Sequence, residues 1–133
     1  MKIVINKRYG GFRLSHEAII EYARIKGITL YAYVDDRSKG ADGYRPYNSE
    51  IDKNPFCIHY YTSDKDFSND NYFDASDIDR SDSTLVEVVK KMGDRASGKY
   101  SGLEVVEIPD DVKWQIGEYD GMEWVEEQHR TWG

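Results

Sequence analysis

The sequence predicts a mixed α/β (α+β) chain. It reads as an N-terminal β-α-β unit, a second helix and a C-terminal β-hairpin on one mixed sheet of about five or six strands. Three observations carry that prediction. A β-branched run, Ile3-Val4-Ile5, stands just after Met1 and Lys2. Ala18, Ile19, Tyr22 and Ala23 recur at helical spacing. Val112, Trp114 and Ile116 alternate with polar residues up to Asp120-Gly121, a dipeptide suited to a tight hairpin because both positions favour positive φ.

Lys2 to Asn6 is apolar on both faces, as a central strand is. Gly10-Gly11 ends it. Ser15 is placed to cap the first helix, Leu14 and Ile19 are spaced as a hydrophobic staple, and Gly27 is placed to end the helix. Ile28 to Asp35 alternates as a half-buried strand, and the crossover rule would make it parallel to the first. Asp36 to Pro55 is a long polar connection. Phe56 to Tyr61 is a third strand, and Thr62 to Arg80 is again polar. Asp82 caps a second helix whose apolar face is Leu85, Val88, Val89, Met92 and Ala96, weakened at Gly93. Leu103 to Ile108 is a fourth strand, stopped by Pro109, and the hairpin returns from Met122 to about Trp132.

A length of 133 residues suits a single domain spanning 1–133, large enough to bury its own core. No apolar stretch approaches the ~20 residues of a membrane span, and the run after Met1 is too short for a secretory signal. Cys57 is the single cysteine, which excludes a disulfide framework or thiolate metal cluster and suits a cytoplasmic location. The net charge is −7 and unevenly spread: residues 1–26 carry +4, residues 27–101 carry −4 and residues 102–133 carry −7. An acidic whole disfavours general nucleic-acid binding. Its acidic last quarter is a solvated surface or a docking face for a basic partner.

The turn after the first strand is the best local motif. A strand, a Gly-Gly turn and a helix N-terminus can form an anion site from free amides and the helix dipole. Lys7, Arg8 and Arg13 crowd that turn and Ser15 adds a hydroxyl. The alternative is that Gly10 and Gly11 only allow the chain to reverse. On the return strand, Glu123, Glu127 and His129 share one face and could serve as acid–base partners or metal ligands, or as a solvated face with cross-strand salt bridges. Asp64-x-Asp66-x-Ser68 opens like a calcium loop. Asn69 and Ala75 break that template, and no metal is expected. Cys57 and His59 share a strand face without a third partner, a pattern more typical of packing than of catalysis.

Lys2-Ile3-Val4-Ile5-Asn6 with Tyr9-Gly10-Gly11-Phe12 and Leu14-Ser15 resembles the opening of a small family of bacteriophage and prophage proteins. The resemblance continues through Ile58-His59-Tyr60, Tyr72-Phe73, Asp77-Ile78, Arg80, Leu85-Val86 and Val88-Val89. It resumes at Val106 to Val112 and closes with Glu118-Tyr119-Asp120-Gly121, Glu123, Glu127 and His129-Arg130-Thr131-Trp132. Asp79 and Ser83 stand where relatives carry proline. The resemblance implies an accessory viral protein of the host cytoplasm rather than a reaction. By analogy, such proteins counter host defence by trapping nucleotide signals or by blocking a host protein.

The leading expectation is therefore a binding protein without catalysis or cofactor that captures a small anionic, nucleotide-like ligand. Lys7, Arg8, Arg13 and the Gly10 and Gly11 amides would hold phosphate, Ser15 would assist, and Tyr9 or Phe12 would stack on a ring. His129 and Arg130 would complete the site if the hairpin packs near the first strand. A homodimer or higher oligomer is the default assembly. One alternative is an acidic interaction protein that inhibits a host protein. Another is a small hydrolase using Glu123, Glu127 and His129.

Overall fold

The computed structural model describes residues 1–36, 43–53, 55 and 57–128. It bears out the mixed α+β class: the described residues form two α-helices and eight strands in three sheets. The chain divides into two compact units, Met1–Ile25 with Ala75–Gly133, and Lys26–Asp74.

In the first unit, β1 (Lys2–Asn6) pairs antiparallel with β6 (Leu103–Glu107), matching Ile3 with Val106 and Val4 with Val105. Against this pair packs α2 (Ser83–Met92), which buries Leu85, Val86, Val88 and Val89. Asp82 caps it as its spacing predicts, accepting from the Thr84 and Leu85 amides at 2.8 and 3.1 Å. Gly93 turns out of the helix at φ 59°, and a 3-10 turn over Gly93–Ala96 follows. Helix α1 (His16–Lys26) buries the expected Ala18, Ile19, Tyr22 and Ala23. The Ser15 hydroxyl accepts from Ala18 N at 3.1 Å, and Gly27 adopts φ 74° beyond the helix end. The hairpin of β7 (Trp114–Tyr119) and β8 (Met122–Glu127) turns at Asp120-Gly121, with φ 49° and 89°, as the dipeptide predicts.

The second unit is a four-stranded antiparallel sheet in the order β3 (Tyr44–Pro46), β2 (Tyr31–Asp35), β4 (His59–Tyr61), β5 (Tyr72–Phe73). Tyr33, Val34, Tyr60 and Tyr61 are buried there. Phe67 meets Tyr33, Tyr44 and Tyr61 at ring separations of 4.8–5.1 Å, so this core is largely aromatic.

Two expectations about topology are corrected. β1 and β2 are not parallel neighbours, because they belong to different sheets, and the crossover rule applies only within one sheet. Nor is there one mixed sheet: every named strand pairing is antiparallel, in three separate sheets. Cross-strand side-chain matching explains the sorting. Aliphatic β1 meets aliphatic β6, whereas the tyrosine-bearing strands meet one another, Tyr31 opposite Tyr61 and Tyr60 opposite Phe73.

β1 is nevertheless covered on both edges. On the side away from β6, Val4 N donates to Arg80 O at 2.8 Å and Asn6 N donates to Glu123 Oε1 at 2.8 Å. A polypeptide carbonyl and a carboxylate thus stand where a further strand's acceptors would be.

Candidate functional site

The region around Gly10 is built by three chain segments of the first unit. Asn6, fully buried at the end of β1, joins them. Its Nδ2 donates to Arg8 O at 2.6 Å and to Gly121 O at 2.7 Å. Its Oδ1 accepts from Arg8 N, Ser101 Oγ and Gly102 N at 3.2, 3.1 and 2.9 Å. This amide uses both of its donors and more than both lone pairs, so it is a structural junction with nothing left for a ligand. Lys7 N donates to Gly102 O at 2.8 Å, and Gly98 N donates to Arg13 O at 2.7 Å. The 7–13 turn therefore lies between the 98–102 loop and the hairpin turn.

That packing corrects the amide cradle. Gly10 N donates to Asp120 O at 3.3 Å, and a Cβ on Gly121 would fall 2.8 Å from Gly10 N and closer still to Gly11 N. The space in front of these amides is filled by the protein's own hairpin turn, because two glycine-bearing turns can approach backbone to backbone. Ser15 is likewise committed, donating to Arg95 O at 2.6 Å while it caps α1. One face of the half-buried Phe12 ring is already covered, with the Arg80 guanidinium 3.6 Å from its centroid.

The cations of the turn are different. Lys7, Arg8 and Arg13 are exposed, and none takes part in an ion pair among the described residues. The Arg8 stem lies against Gly102, where a Cβ would meet its Cγ at 3.1 Å. The Arg13 stem lies against Gly98, where a Cβ would meet its Cγ at 2.6 Å. The two guanidinium stems thus rest on the two ends of one five-residue loop. Between those ends Lys99 and Tyr100 are exposed, and Tyr9 is 60% exposed nearby on the turn itself.

Glu123 was a candidate acid or base. Instead it is 8% exposed and held at two points by Arg80, with Nη1 to Oε1 at 2.7 Å and Nη2 to Oε2 at 2.9 Å, besides accepting from Asn6 N. Glu127 is exposed four residues further along β8, about 13 Å away at the usual strand rise, so the two carboxylates do not converge. His129 and Arg130 lie outside the described residues. Asp64 accepts from the Tyr33 hydroxyl and Asp66 from Ser68 N, so the calcium-like run serves its own loop. Among the described residues no group of three His, Cys, Asp or Glu could hold a metal ion, and no helix is long and apolar enough to cross a membrane.

Sequence reasoning missed Asn6, Arg80, Lys99, Tyr100 and Ser101. The first two carried a faint signal: a polar residue closing an apolar strand, and a cation among aspartates. A shallow groove of about 850 Å³ also lies in this unit, lined in part by Lys2, Ser81, Ser83, Val86, Glu87 and Lys90. Lys90 is held below the ordinary lysine range, chiefly by the Lys2 ammonium beside it. Comparison with protein-family models, curated protein sequences and solved structures finds no match.

Proposed function

We propose that this chain is a non-enzymatic binding protein that captures a small anionic, nucleotide-like ligand on the cationic rim formed by Lys7, Arg8 and Arg13. In a phage setting such capture would counter a host defence signal. The observation that carries the reading is that, among the described residues, none of those three cations is ion-paired with a carboxylate, in a chain of net charge −7. Arginine suits the task, since its planar fork meets phosphate oxygens at two points. The contacts come from side chains, with Tyr9 beside them, because the hairpin turn lies in front of the Gly10 and Gly11 amides.

Titration calorimetry with cyclic and ADP-ribose-type nucleotides tests this. Binding should be lost when Arg8 and Arg13 are both replaced by alanine. No heat with any of these nucleotides would overturn the reading. Native mass spectrometry of the protein from expressing cells adds the subunit number and any ligand carried through purification.

A second reading, docking on a basic host protein, is favoured by one face of the hairpin. Tyr119 and Trp124 are exposed there beside Glu126, whose carboxylate accepts from Trp124 Nε1 and Gln115 Nε2 at 2.8 Å. Capture of a host protein that falls steeply with salt and is lost on Trp124→Ala would support it.

A further inference from the structure

Tyr100 occupies a position whose backbone asks for glycine. Ser101 N donates to Gly98 O at 3.0 Å, which makes Gly98–Ser101 a four-residue turn with Tyr100 at its third position. Tyr100 has φ 63°. A positive φ at that position of a turn is the province of glycine or asparagine, and for a bulky side chain it is a genuine outlier. The strain is not offset by burial, because Tyr100 is 69% exposed. It is held in place from both sides. Ser101 is buried and donates to Asn6 Oδ1, Gly102 N donates to the same oxygen, and Gly98 N donates to Arg13 O. Gly10 makes room for it: a Cβ there would fall 2.9 Å from Tyr100 Cβ and 2.8 Å from Tyr100 O. Strained residues persist where the surroundings over-determine them, and they gather at ligand clamps.

One cation lies over the ring and two more flank its loop. Lys99 Nζ stands 5.3 Å from its centroid, and the Arg8 and Arg13 stems lie at the two ends of the same loop. We infer that Tyr100 is the stacking residue of this rim and that it selects anions bearing an aromatic base over bare phosphates. The inference rests on the proposed anion-binding reading and adds to it the residue that discriminates among anions. An exposed ring face within a cluster of cations is how proteins hold a base and its phosphates together, and stacking is tolerant of which base it meets.

The test is titration calorimetry with adenosine diphosphate and with inorganic pyrophosphate, on the wild type, Tyr100→Ala, Tyr100→Phe and the Arg8→Ala/Arg13→Ala pair. Adenosine diphosphate should bind about ten-fold more tightly than pyrophosphate. Tyr100→Ala should bring the two level without moving pyrophosphate, and Tyr100→Phe should keep the gap. The arginine pair should weaken both. Tyr100→Gly, which relieves the turn, should lose base selectivity as Tyr100→Ala does while melting at or above the wild type, so that the loss is separable from misfolding. Equal binding of the two anions to the wild type, or an equal loss of both in Tyr100→Ala, overturns the stacking role and leaves the arginine rim standing. Binding of neither anion overturns both.

Discussion

Arg80 and Glu123 meet through two hydrogen bonds, and the pair lies along the edge of β1 opposite β6, which has no partner strand among the described residues. Arg80 supplies its carbonyl to Val4 N and its Nη1 to Val4 O at 3.3 Å, while Glu123 supplies Oε1 to Asn6 N. The bridge therefore does two jobs: it pairs two sparingly exposed charges and it satisfies strand amides. Arg80→Ala should cost ~3–5 kcal/mol, because it strands the Glu123 carboxylate. Replacing both residues by leucine should cost less, about 1–3 kcal/mol, since no buried charge is stranded and only the Asn6 amide and the Val4 carbonyl lose a side-chain partner. Urea midpoints at unchanged slope measure both. A double variant worse than the single one would refute the argument.

The meeting of the two glycine turns gives a second contrast. Gly11 has φ 90° and open space around a would-be Cβ, so Gly11→Ala should cost only its backbone conformation, ~1–2 kcal/mol. Gly121 has φ 89° and no such space, since its Cβ would run into the Gly10 and Gly11 backbone. Gly121→Ala should cost ~2–4 kcal/mol and loosen the hairpin, seen as faster amide exchange at Gly10. Equal costs for the two substitutions would mean that the turns do not pack as described.

Much of the secondary structure was legible in the sequence, because it rests on local rules. Ser15, Asp82, Gly27 and Asp120-Gly121 each act within one turn of the chain, and each behaves as its chemistry dictates. Strand partnership was not legible, because β1 meets β6 across a hundred residues on the strength of side-chain matching alone. Short β3 and β5 were hidden in polar connections, with only Tyr44 and Tyr72-Phe73 to mark them. At the site, the cations around Gly10 were visible as a cluster of charge, but the plug of Asp120-Gly121 was not. A glycine pair reads the same whether it faces a ligand or another glycine. Tyr100 could have been suspected only by knowing that its turn needs a positive φ.

Tyrosine ionisation provides a pH test. Tyr22 is pushed up to about 12 by burial and by its hydrogen bond to Asp82 Oδ2 at 3.1 Å. Tyr61 reaches about 12 through burial and the neighbouring Tyr44 hydroxyl. An unfolded tyrosine ionises near 10. The folded state thus holds these protons more tightly, so their contribution to stability is complete below pH 10 and fades as the pH rises toward 12. Burial also raises Tyr33 and Tyr72, so phenolate absorbance should show these four tyrosines ionising after an unfolded tyrosine would. Asp82→Asn should bring Tyr22 down while leaving Tyr61 in place.

His16 runs the other way at the acid end. Burial lowers its pKa, and the Glu17 charge opposes that only in part. Since the unfolded histidine near 6.5 binds the proton more readily than the folded one, stability should fall as the pH drops below about 6.5. His16→Gln should flatten that part of the profile. An unchanged slope would place the acid sensitivity elsewhere.

The Lys2 and Lys90 ammonium groups offer the last test, because they are like charges without a carboxylate in ion-pair contact among the described residues. Glu107, opposite Lys2 in the β1–β6 register, attracts Lys90 only enough to offset part of the repulsion. Removing one of the two charges should therefore stabilise the fold rather than weaken it. Lys90→Gln should raise the melting midpoint at low ionic strength. The gain should shrink in high salt, which screens the repulsion already present in the wild type. Lys91→Gln is the control, since Lys91 reaches Glu21 at 3.5 Å and its loss removes an attraction instead. If Lys90→Gln melts below the wild type at low salt, the two ammonium groups do not oppose each other in solution.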